Sequence, residues 1–421
     1  MKHRITVLEH DRLYPTDDEN LIGINTGKVH YIDRKSFESL KSFVSYEENY
    51  RYLDVVQGGK ALQAKQFVGV IETKTGTTVE ILPKIAQIQN TKEIRRIFIN
   101  MLRRLKHSPF KHIDSAHLQT DRIDLLEIFI SMFLEELLHL VKKGIAADYI
   151  TIEENSPFLK GKLKIKEQLR KNLTHQERFF IAYDAYETNR IENRLIKSTL
   201  LYIMKKSRLE ANKKRIREFL FVFDDVMPAK NPKEDFSKVV KTRQLRHYET
   251  ILQWCELFLN NRSFVGFKGK DIAFALLFDM NKIFEDFVAY QLKKHYPNLS
   301  IKTQHSSKHL LMLPQKQFKL RPDLLIGTNS IVDTKWKLID TNKRNYMLSQ
   351  SDLYQMFAYG KKYDKERLYL IYPKSENFTV SQQEPFYYES AMPLQILCFD
   401  CKDGKIVGFD FELKDFVNES V

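Results

Sequence analysis

Two aspartates and a lysine stand at the ends of two short apolar segments in "RPDLLIGTNSIVDTKWK", residues 321–337. Asp323 opens the first segment, and Asp333 and Lys335 close the second, with a turn between the segments. Charged groups are costly to bury unless they are paired or bind an ion. Because Mg²⁺ is usually held by one or two carboxylates together with water and phosphate, we predict that these strands pair and that Asp323 and Asp333 hold a divalent cation.

The residues around Asp333 can be assigned by strand geometry. Side chains alternate between the two faces of a strand, so Asp333 and Lys335 are predicted to point the same way. Thr334 is then predicted to point into the core and to offer its backbone carbonyl as a further metal ligand. A lysine beside such a site can orient an attacking water and stabilise the charge that develops on a phosphate. The three charged residues are therefore the catalytic candidates.

The spacing of Pro-Asp, ten residues, and Asp-x-Lys resembles the PD-(D/E)xK nuclease superfamily. The resemblance implies a helical acid near the metal, at Glu285 in "FEDF". It also implies that Gln355 and Tyr359, a Q-x-x-x-Y pair on one helix face, position the DNA backbone. A turn acid, a solvated strand-end lysine and a solvated helix face are the ordinary alternatives for these residues.

The elements that must position these residues form the last of three predicted parts. Residues 265–421 read as helix, strand meander, helix and strand, an α/β domain. Residues 1–118 are predicted to be β-rich, with a hairpin around "TKTGT" and then a helix for which Thr91 is a possible N-cap. Residues 119–264 are predicted to be largely helical, including one helix over "KVVKTRQLRHYETILQWCELFLNN". The predicted fold class is therefore a multidomain α/β protein.

Composition narrows the function classes. The 421-residue chain has a formal net charge of +14, which favours an anionic partner such as nucleic acid over a merely cationic surface. Its most apolar long segment, "LLEIFISMFLEELLHLV", contains glutamates at helical spacing and is predicted to be a core helix, so no membrane partner is expected. Three cysteines and the lack of an apolar stretch in residues 1–10 favour a cytoplasmic setting.

Longer stretches resemble one family within this superfamily. "LLFDMNKIFEDFVAYQL", "DTKWK", "DLYQMFAY" and "LYLIYPK" are similar to McrC, the nuclease subunit of the McrBC modified-cytosine restriction system. Upstream, "VEILPKI", "PFLKGKLKI" and "ETNRIENRLIKSTLLYIM" also resemble that family, although less specifically. Trp336 is a departure, because the family often has tyrosine there. The resemblance implies a C-terminal PD-(D/E)xK restriction-endonuclease-like domain that cuts double-stranded DNA with one or two Mg²⁺ ions.

The resemblance also implies a partner, a GTP-hydrolysing AAA+ ring of the McrB type, which the N-terminal and helical parts bind and stimulate. The chain itself has no G-x-x-x-x-G-K-[ST] phosphate-binding loop, so no nucleotide site is expected in it. Lys74 and the arginines Arg95, Arg96, Arg103 and Arg104 are candidate contacts for that ring. Two alternatives stay open: a non-catalytic activator or stalk of the ring with a vestigial nuclease fold, and a nuclease of another defence system.

Overall fold

A computed structural model describes residues 3–46, 49–85, 90–106, 109–112, 123–175, 177–240, 242–259, 272–388 and 392–411. Contacts divide the chain into two compact units. The first unit combines Met1–Leu125 with Ser263–Val421, and the second is Leu126–Arg262. The chain is thus a mixed α/β protein in which the second unit is inserted into the sequence of the first.

The N-terminal part of the first unit contains two sheets and two helices. Its elements are β1 (Arg4–Leu8), β2 (Arg12–Thr16), β3 (Asn25–Thr26), β4 (Val29–Asp33), α1 (Arg34–Ser45), β5 (Leu53–Val56), β6 (Ala61–Ala64), β7 (Phe67–Thr73), β8 (Thr78–Leu82) and α2 (Thr91–Leu102). One sheet has the strand order β3-β4-β2-β6-β5. In the other, β1 pairs in parallel with β8, and β8 pairs antiparallel with β7. The predicted hairpin is therefore confirmed.

Helix α2 differs from expectation at two positions. Its N-cap is Asn90, whose side chain accepts a hydrogen bond from the backbone N–H of Lys92, and Thr91 is the first helical residue. Asparagine is the stronger N-cap residue of the two. Arg95 is only 5% exposed and pairs with the buried Glu80, at 2.7 Å from Nε to Oε1. Arg95 therefore belongs to the core and is removed from the candidate partner contacts.

The second unit combines helices with a small sheet. Its elements are α3 (Leu125–Lys143), which starts at the boundary, β9 (Asp148–Ser156), β10 (Lys162–Leu163), α4 (Ile165–Lys171), β11 (Phe179–Glu187), α5 (Ile191–Lys206), α6 (Glu210–Val222), α7 (Pro232–Lys238) and α8 (Glu249–Leu259). The predicted core helix is α3, which ends at Lys143, and the following Gly144 has the positive φ of a helix terminator. No helix within the described residues combines the length and apolar character that a membrane crossing needs.

Two predictions for the middle region need correction. Strands β9 and β11 pair over nine residues in a three-stranded sheet, although no strands of this length are predicted there. Strand β9 is exposed along nearly its whole length, so its sequence lacks the apolar alternation that identifies a half-buried strand. The helix predicted from "KVV" onward begins only at Glu249, where buried residues first recur at helical spacing, at Ile251, Trp254, Cys255 and Phe258.

The C-terminal part of the first unit is built around a larger mixed sheet. Its elements are β12 (Ile272–Asp279), α9 (Met280–His295), β13 (Ile301–Thr303), β14 (His309–Leu311), β15 (Gln317–Lys319), β16 (Leu324–Ile326), β17 (Ser330–Thr334), α10 (Gln350–Tyr363), β18 (Arg367–Pro373), β19 (Phe386–Tyr387), β20 (Pro393–Asp400) and β21 (Lys405–Val407). The strand order is β13-β16-β17-β18-β20-β19, with β21 also on β20. The predicted meander, helix and strand are all present.

Strand β12 joins the N-terminal part to the C-terminal part. It pairs antiparallel with β7 and becomes the fourth strand of the sheet β1-β8-β7-β12. By contacts, the segments predicted as separate domains, 1–118 and 265–421, therefore lie in one compact unit. Gly69 of β7 lies opposite Leu277, and a Cβ at Gly69 would stand 2.0 Å from the carbonyl oxygen of Leu276. Only glycine allows the two strands to approach this closely.

We expect Gly69→Ala to destabilise the protein by roughly 3 kcal/mol or more, because the clash involves backbone on both sides and the φ of +140° is unfavourable for a residue with a Cβ. Gly23→Ala is the matched control. Gly23 also has a positive φ, +82°, but a Cβ there would meet nothing within 4 Å, so about 1–2 kcal/mol is expected. Thermal unfolding of the full-length variants measures both. Equal losses would contradict the packing argument.

Candidate active site

The strand ends that carry the candidate carboxylates lie side by side. Strand β17 pairs antiparallel with β16, with Leu324 opposite Val332. Extending this register by one residue places Asp323 opposite Asp333. On its other side β17 pairs in parallel with β18, so it is an interior strand, and all of its residues are buried. Continuous apolar residues form such strands, and the charged residues therefore appear where the apolar run ends.

Asp323 is held by hydrogen bonds from the neighbouring strand. Its Oδ2 accepts from the backbone N–H of Thr334 at 2.7 Å and from the Thr334 hydroxyl at 2.8 Å. Thr334 is buried, and its hydroxyl is directed at the Asp323 carboxylate because a buried hydroxyl needs a hydrogen-bond partner. The two bonds fix the Asp323 carboxylate against the end of β17.

Asp333, Lys335, Gln355 and Tyr359 form one continuous chain of polar contacts. The Lys335 ammonium lies 2.5 Å from Asp333 Oδ2 and donates to Gln355 Oε1 at 2.9 Å. The Gln355 amide donates to the Tyr359 hydroxyl at 2.7 Å, and that hydroxyl donates to the backbone carbonyl of Arg321 at 3.2 Å. Helix α10 thus places the Gln355 and Tyr359 side chains, at i and i+4, on the side that faces Lys335, as the Q-x-x-x-Y spacing indicates.

Glu285 reaches the same site through a residue that the sequence analysis does not single out. Gln304 donates from Nε2 to Glu285 Oε1 at 2.8 Å, and its backbone N–H donates to the carbonyl of Asp323 at 2.7 Å. Its side-chain oxygen accepts from Arg321. Gln304 has a φ of +51°, a strained conformation for a residue other than glycine, and such strain concentrates at functional sites. No local sequence signal marks it.

The electrostatics of the site are those of carboxylates crowded in a buried place. Burial, together with the charge of Asp323, raises the pKa of Asp333 to about 7. The same two causes raise the pKa of Glu285 to about 7. Burial also raises the pKa of Asp323. Burial lowers the pKa of the Lys335 ammonium, but the neighbouring carboxylates of Asp333, Asp323 and Asp352 together outweigh burial, so the net shift of this pKa is upward. The site is therefore short of positive charge.

These residues fit a divalent cation of the magnesium type. Asp333 Oδ2 is buried and, despite its ion pair, has no well-directed hydrogen-bond donor among the described residues, so a lone pair is available. No three His, Cys, Asp or Glu side chains within the described part of the chain form a metal cage by themselves. Two carboxylates completed by backbone oxygen, water and phosphate are the ligand set that Mg²⁺ accepts.

A cleft of about 470 Å³ opens beside Gln304, the residue that donates to Glu285. Gln304 and Arg321 line it on the strand side, and Lys282 of α9 and Lys106, beyond the end of α2, line it on the helix side. The cleft also contains Asp279 and Asp286, together with apolar residues. Three cations around an opening next to buried carboxylates suit a phosphate backbone better than a neutral ligand.

Trp336 links the site to the N-terminal part of the same unit. Its indole N–H donates to the Glu9 carboxylate at 2.9 and 3.1 Å, and Glu9 also accepts from the backbone N–H of Lys84 at 2.9 Å. Burial raises the pKa of Glu9 to about 8. The indole also packs on Phe284, next to Glu285, with ring centroids 5.2 Å apart. The aromatic departure from the resembled motif is therefore a structural anchor behind the lysine.

Comparison with solved structures places this fold beside McrC. In a half-complex refined from a tetradecameric assembly of Thermococcus gammatolerans McrB AAA+ hexamers with bound McrC, one chain is similar at 18% identity with a TM-score of 0.69, covering 95% of this chain and 98% of that one. The cryo-EM structure of the Thermococcus gammatolerans McrBC complex matches at 20% identity and a TM-score of 0.49, over 68% of this chain and 85% of that one. At these identities the likeness concerns the fold.

A search of curated protein sequences finds no significant match. A family model does match, over residues 62–373, which include Asp323, Asp333, Lys335 and the Gln355–Tyr359 pair. The match covers well over half of the chain and includes both the β7–β8 hairpin and the strands of the candidate site. The chain belongs to the family of McrBC 5-methylcytosine restriction system components.

Proposed function

We propose that this protein is a McrC-type subunit, a Mg²⁺-dependent endodeoxyribonuclease of the PD-(D/E)xK class that also binds and stimulates a GTP-hydrolysing AAA+ ring of the McrB type. The observation that carries the nuclease proposal is the chain of contacts from Asp333 through Lys335 and Gln355 to Tyr359. Four sequence-predicted residues meet there, next to Asp323, through one ion pair and two hydrogen bonds.

In this proposal each side chain has a separate task. Asp323 and Asp333, with the carbonyl of Thr334, would hold the metal, which when bound neutralises charge on the phosphate and acidifies water. Lys335 orients the attacking water and stabilises the negative charge that develops on the phosphate. Gln355 holds the ammonium in place and faces the DNA backbone, and the buried Tyr359 fixes Gln355 through its hydroxyl. Glu285 serves as a supporting acid through Gln304.

The ring-binding part of the proposal rests on the fold match and on the surface of the second unit. The structural neighbour is McrC bound to McrB AAA+ hexamers. Within the second unit, the sheet and α4 expose many large apolar side chains, each more than 60% accessible: Tyr149, Phe158, Leu159, Ile165, Leu169, Leu173 and Tyr186. Large apolar side chains exposed in this number on one small sheet and its neighbouring helix are typical of protein interfaces. We therefore place the ring contact on this apolar face.

Substitutions at the carboxylate and the lysine should separate the two activities. We expect Asp333→Ala and Lys335→Ala to lower DNA cleavage by about a thousandfold or more, roughly 4 kcal/mol in the barrier, because each removes a charge that acts at the reacting phosphate. GTP hydrolysis by the reconstituted complex should stay at the wild-type rate. The paired measurement is DNA nicking and GTP turnover on the same preparation.

Asp403→Ala and Lys343→Ala are the matched controls, because both residues are exposed and lie in the same unit outside the site. Both should cut DNA as the wild type does. Cleavage by Asp333→Ala at the wild-type rate would refute the site. Wild-type protein that stimulates GTP hydrolysis but cuts no DNA in Mg²⁺ would instead favour a non-catalytic activator.

Metal binding should be linked to proton release. Asp333 and Glu285 both have a pKa of about 7, above the usual carboxyl range, so below pH 7 they hold protons that a cation must displace. Mg²⁺ affinity should therefore rise between pH 6 and 8, by up to about tenfold per pH unit for each proton released. In the absence of metal, the folded state binds more protons than the unfolded state, so stability should fall as pH rises from about 4 to about 7.

Isothermal titration calorimetry of Mg²⁺ in two buffers of different ionisation enthalpy measures the protons released. Glu285→Gln is the control, since it removes one group with a pKa of about 7 without removing a proposed metal ligand, and it should release fewer protons. Affinity that is independent of pH across this range would contradict a site built on these carboxylates.

The apolar face of the second unit can be tested with exposed residues only. Phe158→Ser combined with Leu169→Ser should weaken binding to the ring and reduce GTPase stimulation at least about tenfold, since each side chain buried at an interface is worth about 1–2 kcal/mol. Phe221→Ser is the control: this side chain is 83% exposed on α6 of the same unit. Sedimentation with the ring and GTP turnover give the result. Unchanged stimulation by the double variant would move the contact elsewhere.

A further inference from the structure

Residues 305–322 form a largely exposed segment between β13 and β16. We call this segment the basic arm. It contains the short antiparallel pair β14 and β15, in which His309 lies opposite Lys319. The arm leaves the sheet after Gln304 and returns at Asp323, and the Gln304 N–H donates to the Asp323 carbonyl at 2.7 Å across its base. The arm therefore starts and ends at the candidate active site.

The base of the arm is fastened to helix α10. The Tyr363 hydroxyl lies 3.1 Å from the carbonyl oxygens of both His305 and Leu320 and can donate to either. The Tyr359 hydroxyl donates to the carbonyl of Arg321. Since α10 also carries Gln355, the helix that orients Lys335 fixes the direction in which the arm leaves the molecule.

The charge of the arm is of one sign. Residues 305–322 contain no aspartate or glutamate, and they contain Lys308, Lys316, Lys319 and Arg321. All four cations are exposed. No carboxylate among the described residues pairs with the three lysines. Acidic residues are frequent elsewhere in this chain, with 54 in 421 residues, so an acid-free and unpaired arm beside the site calls for an anionic partner.

The end of the arm is apolar. Its large side chains are exposed to solvent at Leu310 (40%), Leu311 (46%), Met312 (52%), Leu313 (86%) and Phe318 (66%). Exposed apolar side chains on a strand pair are unfavourable in water and favour aggregation. Leucine, methionine and phenylalanine flanked by cations are the side chains that enter the minor groove and part base steps in DNA-bending proteins.

We propose that the basic arm binds the double-stranded DNA that flanks the cleaved phosphodiester, with its lysines on backbone phosphates and Leu313 in a groove. The proposal rests on the nuclease function proposed above and adds a DNA-binding element to it. From His305 to Leu313 an extended chain spans at most about 27 Å, which is less than the 34–36 Å or so of one turn of B-DNA. The arm therefore reaches DNA within one helical turn of Asp323 and Asp333.

The charge of the arm selects DNA over a second copy of this chain. The whole protein has a formal net charge of +14, so two copies meeting through unpaired lysines would repel each other. DNA instead supplies a phosphate for each cation and releases counterions when these contacts form. A DNA groove also gives the apolar Leu313 side chain a surface of bases to pack on, whereas backbone phosphates alone do not.

The test uses the full-length chain as Asp333→Asn, which removes cleavage from the measurement, and a fluorescent duplex of about three helical turns. Lys316→Gln combined with Lys319→Gln should weaken DNA binding about tenfold and lower the slope of log Kd against log salt by about 2, one for each lost phosphate contact. Lys293→Gln combined with Lys294→Gln, an exposed pair on α9, is the matched control and should bind as the parent does.

Leu313→Ser separates the apolar contact from the charged one. It should weaken binding with an unchanged salt slope, and it should abolish the fluorescence increase of 2-aminopurine placed in the duplex, because that signal reports unstacked bases. Thermal unfolding of each variant should match the parent, since the substituted side chains are exposed.

Three results would overturn the proposal: arm variants that bind DNA as the parent does, a parent that binds no duplex even at low salt, and arm variants that change only self-association or ring binding. Failure of the nuclease proposal is distinguishable. Loss of DNA binding in the arm variants, in a protein whose wild type never cuts DNA, would retain the arm and reject the nuclease. Asp333-dependent cleavage that is unaffected by the arm variants would retain the nuclease proposal and reject the arm.

Discussion

The carboxylates of Asp323, Asp333 and Glu285 are crowded into one site, and the energetic cost of this crowding is the constraint on which the C-terminal part of this protein depends. The cost of burying the Asp323 carboxylate is offset by two hydrogen bonds from Thr334. The cost of burying Asp333 is offset by the Lys335 ammonium beside it. Each of these interactions must itself be held in place by a further contact. The ammonium needs Gln355 to stay in place, and Gln355 needs the α10 helix at one distance from β17. The hydrogen-bond network and the strand ends of the sheet thus both stabilise the same group of buried charges.

This dependence explains which parts of the site sequence reasoning can reach. Asp323, Asp333 and Lys335 belong to strands whose apolar pattern and turn predict their pairing, and the Gln355–Tyr359 spacing predicts a shared helix face. Gln304 and Glu9 have no such pattern. Gln304 matters because of a positive φ and two long-range contacts, and Glu9 because Trp336, 327 residues away, donates to it. Non-local hydrogen bonds leave no periodic signal in a sequence.

The fold shows the same division. Amphipathic helices and the β7–β8 hairpin are predictable because burial of one face imposes a period. The exposed strand β9 is missed because it buries little, and the pairing of β12 with β7 is missed because strand partners distant in sequence are not encoded locally. The N-cap of α2 is displaced by one residue because two adjacent polar residues both satisfy the local rule. The strand partners and element ends that depend on tertiary contacts are therefore the features that local sequence patterns do not predict.

The indole of Trp336 gives the N-terminal sheet a direct connection to the lysine site. Glu9 follows the end of β1, and its carboxylate holds the residue next to Lys335. A tyrosine at position 336 would place its hydroxyl differently from the indole N–H, so tryptophan and Glu9 act as a matched pair. This pair connects the end of β1 directly to the residue that follows Lys335.

The pairing of β7 with β12 has a consequence for synthesis on the ribosome. Strand β7 ends at Thr73 and its partner begins at Ile272, about 200 residues later. Protein synthesis proceeds at about 5–20 residues per second, so β12 is made roughly 10–40 s after β7. Until then one edge of β7 has no strand partner. During this interval the whole of the second unit emerges and can fold on its own contacts. The nascent chain therefore completes its inserted unit before β12 can join β7, and until then Gly69 lies on an unpaired strand edge.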